Sequence, residues 1–187
     1  MDNSVDLQAL IERCKSQDRA ARKQLYELFA PAMQGVCFRY AGEKETARDL
    51  LHEGFIKVFT KIDTYLGAGS FEGWMRKIFV TTSLEFLRSK QRFFFSIDNE
   101  EYKEIAYEEN ENVVEKLSAE EILQCVNELP TGFRTVFNMY AVEGYSHAEI
   151  ANMLNIKEAS SRSQFARARM LLQEKIRKLY GYERKNE

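Results

Sequence analysis

The segment from residue 144 to residue 169 constrains the fold most, because it combines a helix cap, a turn and a basic helix in that order. Ser146 and Glu149 stand three positions apart, which is the spacing of a capping box at a helix start. Asn155 follows where a tight turn needs a left-handed residue, a conformation that Asn tolerates better than most residues. This order predicts a helix-turn-helix, and an ordinary helical hairpin with a solvated basic face is the alternative.

The second helix of this segment is rich in short polar and cationic side chains, which suit the base edges and phosphates of a DNA major groove. Between residues 157 and 178 there are seven Lys or Arg against two Glu, so the helix is also basic. We therefore expect it to dock on duplex DNA. The residues predicted to contact DNA are Ser160, Arg162, Ser163, Gln164, Ala166, Arg167 and Arg169.

Composition and periodicity favour an all-α protein. The chain has only two prolines and nine glycines, and apolar residues recur at helical spacing through most of its length. No apolar run reaches transmembrane length, and residues 1–6 lack the basic and apolar regions of a signal peptide. The three cysteines are widely spaced on apolar helical faces, which is typical of free thiols in a reducing compartment. We therefore expect a cytoplasmic protein without membrane insertion.

Charge is segregated along the chain. Residues 98–143 hold twelve acidic and three basic side chains, whereas both flanking parts carry a basic excess. The stretch 91–117 also has little helical periodicity, so we expect a flexible acidic linker there. The predicted organisation is two small helical domains, a helical bundle over 1–92 and a helix-turn-helix domain over 118–182, joined by the linker over 93–117.

Caps and breakers predict the helix boundaries in both domains. Pro31 has the character of a first helical position and predicts a boundary between two helices. The longest helical stripe runs over 46–62, and Ser70 is placed to cap the helix that follows the next loop. In the C-terminal domain, Ser118 and Glu121 have the spacing of a second capping box.

With these motifs in place, the chain resembles the extracytoplasmic-function (group IV) sigma factors of bacterial RNA polymerase. The resemblance covers most of residues 7–178 apart from the linker, with both halves in the family's order. Ser161 replaces an aliphatic residue and Gln164 a basic one, a variant second helix that resembles the version in Bacteroidetes-type members. The matching stretches are 49–59, 71–78 and 84–88 in the first domain, and 129–130, 134–137 and 144–172 in the second.

The resemblance implies a promoter-specificity subunit that has no reaction and no cofactor of its own. Its partners would be the core polymerase, promoter DNA and an anti-sigma factor, and the second helix described above would bind the −35 element. The first domain would dock on a coiled coil of the core polymerase through the helix over 46–62, where polar side chains share one face. The residues expected to bind the core are Asp49, Leu50, His52, Glu53 and Phe55.

The glycine-rich loop over 64–70 is the candidate site for the melted −10 strand. Capture of a flipped base needs an aromatic wall, which Tyr65 and Phe71 would supply, and polar edges, which Ser70 and backbone groups would supply. An ordinary loop between helices is the alternative, and Thr81 stands where the family often has Asn. The residues predicted to bind the −10 element are Tyr65, Leu66, Gly67, Ala68, Gly69, Ser70, Phe71, Arg76, Lys77 and Thr81.

Two other classes of protein, a conventional DNA-binding regulator and an enzyme, fit the sequence less well. A conventional helix-turn-helix regulator that does not join the polymerase would need a sensory or dimerising module upstream, and residues 7–90 resemble neither. An enzyme is disfavoured because the sequence has no phosphate-binding loop, no nucleophile arrangement and no carboxylate pair in a plausible cleft. We expect no metal site, since the two histidines, His52 and His147, lie in different domains and no cysteine pair has ligand spacing.

Overall fold

The computed structural model describes residues 6–90 and 119–179, and every regular element in these two ranges is helical. The all-α prediction is therefore confirmed over the described ranges. The chain forms two compact units, Met1–Leu87 and Arg88–Glu187. The predicted acidic linker over 93–117 and the predicted cap at Ser118 lie outside the described residues.

The first unit contains four α-helices, and side-chain caps mark the starts of three of them. Asp6 and Asp18 accept hydrogen bonds from backbone N–H groups in the first turns of the first two helices. The predicted cap at Ser70 is also present, because its hydroxyl accepts from the Gly73 N–H at 3.0 Å. The elements are α1 (Leu7–Lys15), α2 (Arg19–Ala41), α3 (Lys44–Lys61), a 3₁₀ turn (Ile62–Thr64) and α4 (Phe71–Ser89).

Helix α2 runs through Pro31 without interruption, so the predicted boundary at this proline is wrong. Leu25 and Phe29 before the proline are buried on the same helical face as Met33 and Val36 after it, at spacings of three and four residues. An interior proline costs a helix about 3 kcal/mol or more. Burial of one continuous apolar face on both sides of Pro31 outweighs that cost.

Helices α3 and α4 approach each other closely at Gly54. A Cβ atom at this position would lie 2.1 Å from a ring carbon of Phe79. Phe79 is fully buried and meets the ring of Phe55 edge-on, with centroids 5.3 Å apart. The absence of a side chain at Gly54 is therefore what admits the Phe79 ring, and it fixes the spacing of the two helices.

The second unit contains four more α-helices around a small apolar core. Its cysteine, Cys125, is buried in that core, and Cys14 and Cys37 are buried free thiols in the first unit, as predicted. Burial raises the pKa of the Cys37 thiol to about 12. The elements are α5 (Ala119–Asn127), α6 (Thr131–Phe137) continuing into a π-helical turn (Asn138–Val142), α7 (His147–Leu154) and α8 (Glu158–Leu179).

The described ranges, 6–90 and 119–179, also bear on membrane insertion and metal binding. Within these ranges, no helix combines the length and the apolar character that a membrane span requires. The same ranges contain no cluster of three or more His, Cys, Asp or Glu side chains that could hold a metal ion.

Candidate nucleic-acid interface

Local sequence signals determine where α7, the first helix of the helix-turn-helix, begins and ends. The Ser146 N–H donates to the Glu149 carboxylate at 2.8 Å, and the Glu149 N–H donates to the Ser146 hydroxyl at 3.2 Å. At the other end of α7, Asn155 adopts the left-handed conformation with φ 55° and ψ 49°. The predicted capping box and the predicted turn residue are both confirmed.

One face of α8 is buried, and this determines which residues face outward. The buried residues Ser161, Gln164 and Ala168 recur at spacings of three and four, and this face packs against α6 and α7. At 3.6 residues per turn, the opposite side of the helix carries other residues. We call this side the reading face, and it consists of Arg162, Ser163, Ala166 and Arg169.

The predicted DNA contacts divide accordingly. On the reading face, Arg162 and Ser163 are exposed, whereas Ala166 and Arg169 are half-buried. Ser160 and Arg167, at the margin of this face, are also half-buried. Gln164 is only 1% exposed, and among the described residues neither atom of its amide has a hydrogen-bond partner. Gln164 stays a predicted base contact, but its position on the helix turns its side chain inward, away from the reading face.

The cations of α8 differ in what they touch. Arg162 pairs with Glu158, one turn earlier, and both side chains are largely exposed. An exposed pair of this kind contributes about 0–1 kcal/mol, so Arg162 can exchange it for a base or a phosphate at little cost. Lys175 instead pairs with Glu128, which directly follows α5, on the inner side of the helix.

His147, the first residue of α7, lies beside the start of α8. Burial lowers the pKa of its imidazole, the nearby Arg162 guanidinium lowers this pKa further, and Glu158 opposes the shift. The imidazole is therefore held in its neutral form over a wider pH range than a free histidine.

In the first unit, the aromatic residues of the candidate −10 site lie in the core. The Tyr65 and Phe71 rings are buried and meet edge-on with centroids 5.0 Å apart, and Phe71 also stacks on Trp74 at 5.4 Å. The Tyr65 hydroxyl donates to the Gly69 carbonyl at 2.8 Å, and this hydrogen bond links the two ends of the loop. The role of these two rings as a wall for a flipped base stays a prediction, and in this structure both rings pack against the protein.

The segment 66–70 between these rings is exposed throughout. Leu66 is 88% exposed, and Gly67 and Gly69 have positive φ values of 79° and 78°. Among the other residues assigned to the −10 element, Arg76 pairs with Glu72 at 3.0 Å and Lys77 is exposed. The Ser70 hydroxyl is engaged in its cap, and the Thr81 hydroxyl donates to a backbone carbonyl of the same helix at 2.8 Å.

Helix α3 separates the residues assigned to core binding into two sets. Asp49, His52 and Glu53 are exposed, whereas Leu50 and Phe55 are 2% and 3% exposed and belong to the core of the unit. The two apolar residues lie beneath this surface and support it, and their direct contact with the core polymerase stays a prediction.

Ile56 lies on the exposed side of α3 and is absent from the residues predicted to bind the core polymerase. Ile56 is 66% exposed and lies one turn beyond His52 and Glu53, on their face of the helix. Lys57, its neighbour, pairs with Glu53 at 2.8 Å and with Glu85 of α4 at 2.6 Å. Helical spacing from Asp49 would have placed Ile56 on the same face, but an isoleucine is ordinarily taken for a core residue.

Comparisons with known proteins agree with this division into two units. A family model described as Sigma-70 region 2 matches residues 25–93, and one described as Sigma-70, region 4 matches residues 119–172. Together the two matches span about two thirds of the chain. They fall on the helical bundle and on the helix-turn-helix unit respectively.

Curated relatives match over nearly the whole length. The chain is 26% identical over 183 residues to the ECF RNA polymerase sigma-E factor of Haemophilus influenzae, covering 92% of this chain and 96% of that protein. It is 29% identical over 168 residues to the ECF RNA polymerase sigma factor SigE of Mycolicibacterium smegmatis, covering 86% and 65%. Among solved structures, the chain shares its fold with the sigma factor RpoE of Bartonella quintana, which was solved in complex with the anti-sigma factor NepR. The TM-score is 0.51 at 20% identity, and the match covers 81% of this chain and 94% of that one.

The chain has two helical units, and one of them carries a helix-turn-helix with a cationic outer face. This architecture is that of a DNA-binding protein that acts in transcription. The chain belongs to the sigma-70 family and, within it, to the ECF sigma factors. It is therefore a promoter-specificity subunit of bacterial RNA polymerase. The alternative of a regulator that does not join the polymerase is wrong, because the bundle before the linker matches sigma region 2.

Proposed function

We propose that the first unit joins the core polymerase through the exposed face of α3 and holds the −10 element, while α8 reads the −35 element. The observation that carries this assignment is the pairing of regions 2 and 4, each with a solvent-facing helix free to bind. In this role the chain has no reaction of its own, and it acts in the cytoplasm, where polymerase and promoter DNA meet.

The exposed face of α3 has the composition of a protein interface. Asp49, His52, Glu53 and Ile56 recur at helical spacing, with the apolar side chain at one end of the polar set. Apolar anchors surrounded by polar residues are typical of interfaces in which a few side chains supply most of the binding energy. Ile56 is therefore our candidate anchor for the core polymerase, and the charged residues would set orientation.

The reading face of α8 suits insertion into a major groove. Arg162 and Arg167 are five residues apart, which separates them by about 140° around the helix axis. The small side chains of Ser163 and Ala166 lie between these arginines and let the helix approach base edges closely. Arginine at either margin can then pair with guanine or with a phosphate.

In the first unit, we assign −10 binding to the exposed loop 66–69 and to the start of α4. With Tyr65 and Phe71 packed inward, the loop offers its backbone groups and the Leu66 side chain to an unstacked base. Arg76 and Lys77 on the first turns of α4 would follow the phosphates of the melted strand.

We also propose an anti-sigma protein as a partner. The Bartonella quintana sigma factor that shares this fold was solved bound to the anti-sigma factor NepR. An inhibitor of that class would act most directly by covering the exposed face of α3, the reading face of α8, or both.

The test is capture of purified core polymerase by the tagged full chain, followed by run-off transcription from genomic fragments. We expect a stoichiometric complex and new transcripts that share −10 and −35 sequences. Sequence-specific DNA binding by the chain alone, without any binding to the core, would overturn the proposal.

A further inference from the structure

The side chain of His147 ties the start of α7 to the start of α8. Its Nδ1 lies 2.9 Å from the hydroxyl oxygen of Ser161, fourteen residues later in the chain. Ser161 is fully buried, so bulk water does not reach its hydroxyl to replace the imidazole. The hydrogen bond is therefore a partly buried polar connection between the two helices of the helix-turn-helix.

Aromatic neighbours hold the imidazole in place. The Tyr140 ring, in the π-helical turn, stacks on it with centroids 4.2 Å apart and an interplanar angle of 11°. The Phe165 ring, on α8, meets it edge-on at 5.9 Å and contacts the Tyr140 ring at 4.5 Å. The plane of the imidazole is fixed by these contacts, and Nδ1 is kept directed at Ser161.

The position of Ser161 makes this bond a determinant of helix rotation. Ser161 directly precedes Arg162 and Ser163, so the bond is anchored on the turn of α8 that begins the reading face. With side chains, a helix has a radius of about 5–6 Å, and a rotation of about 20° would move an outward group by roughly 2 Å. A shift of that size exceeds the distance tolerance of a hydrogen bond to a base.

We propose that His147 is a positioning residue for recognition of the −35 element. By holding Ser161, it fixes the rotation of α8 and so the placement of the reading face on the bases. His147 acts through Ser161 and touches no base in this role. The inference rests on the proposed function of α8 as the −35 reading helix.

The test uses three variants of the full chain in holoenzyme. His147→Phe keeps an aromatic ring but removes the hydrogen bond, and Ser161→Ala removes the same bond from the other side. His147→Asn loses the ring but retains a hydrogen-bonding group close to the position of Nδ1. Run-off transcription is measured on promoters varied one −35 position at a time, and thermal unfolding of each variant is measured alongside.

We expect His147→Phe and Ser161→Ala each to reduce discrimination between the preferred and altered −35 elements by about fivefold to tenfold, the effect of one hydrogen bond. The double variant should lose no more than either single variant, because both remove the same bond. His147→Asn should retain more discrimination than His147→Phe. Tyr140→Phe, which keeps the stacked ring, is the matched control and should leave discrimination unchanged.

Three results would overturn the inference. These are full discrimination in both single variants, losses that add in the double variant, and better discrimination by His147→Phe than by His147→Asn. If His147→Phe unfolds, the other two single variants test the inference. Reduced discrimination in Ser161→Ala, with more discrimination retained in His147→Asn, supports it, and full discrimination in Ser161→Ala overturns it. A holoenzyme with the unchanged chain that does not discriminate −35 elements would overturn the proposed function itself, and the inference with it.

Discussion

Replacement of Gly54 by Ala should destabilise the first unit, although alanine is the better helix former. Gly54 lies inside α3, where an added Cβ would meet three ring carbons of Phe79 at 2.1, 2.4 and 2.8 Å. Phe79 cannot swing aside, because it is fully buried against Phe55. The two helices would have to separate, and the exposed face of α3 would move with them.

The magnitude follows from two opposing terms. Alanine in place of glycine in a helix interior stabilises by about 1 kcal/mol. Carbon atoms pack at about 3.5–4.0 Å, so the nearest ring carbon must retreat by roughly 1.4 Å. Overpacking of a core costs about 1–3 kcal/mol, and a displacement this large belongs at the upper end of that range. The net loss in the free energy of unfolding should be about 2 kcal/mol, or roughly 8–16 °C in the melting temperature of a unit this size.

The single tryptophan, Trp74, lies in the first unit and reports its unfolding by fluorescence. Gly35→Ala is the matched control, because Gly35 is also inside a helix but its nearest neighbour atom would be 3.9 Å from the added Cβ. That variant should gain a few degrees. The reasoning is refuted if Gly54→Ala melts at or above the temperature of the unchanged chain. Adding Phe79→Leu to Gly54→Ala should restore part of the loss.

Four further outcomes are expected. Charge reversal at Asp49 and Glu53 together should abolish capture of core polymerase and cost at most about 1 kcal/mol of stability, because both are exposed and the ion pair between Glu53 and Lys57 is a surface pair; an unfolded variant would mean that this face is structural. Arg162→Ala should cost about 1–3 kcal/mol of −35 binding and relax preference at one or two positions, whereas equal losses on random duplex would contradict base readout. Because burial lowers the pKa of His147 below its ordinary value of about 6.5, the second unit should be most stable above that pH and lose stability as pH falls through the folded-state pKa. His147→Phe should flatten this dependence in pH-resolved thermal melts followed by circular dichroism, and an unchanged slope would assign it to another group. Exchange of loop 66–69 for that of another family member should move −10 preference toward the donor, measured by open-complex formation on promoters varied at each −10 position, while a uniform loss on all promoters would make the loop a scaffold.

Local signals in the sequence determined the parts of the fold that depend on a few neighbouring residues. The capping box of Ser146 and Glu149 and the left-handed turn at Asn155 are stabilised by atoms within four positions along the chain. Helical periodicity gave the all-α class for the same reason. Pro31 is the exception, because the in-phase apolar face on both sides of it prevails over a strong local signal.

Tertiary packing alone decided which side chains are available for binding. Gln164 and Ser163 are neighbours of similar character on one helix, yet Gln164 is buried and Ser163 exposed, since α6 and α7 cover one side of α8. Tyr65 and Phe71 flank an exposed loop but point inward, because their rings complete an aromatic core. Ile56 is apolar yet solvent-facing for the converse reason, as no described helix covers that side of α3. Sequence spacing fixes which residues share a face of a helix, but the helices that pack against it determine which face is buried.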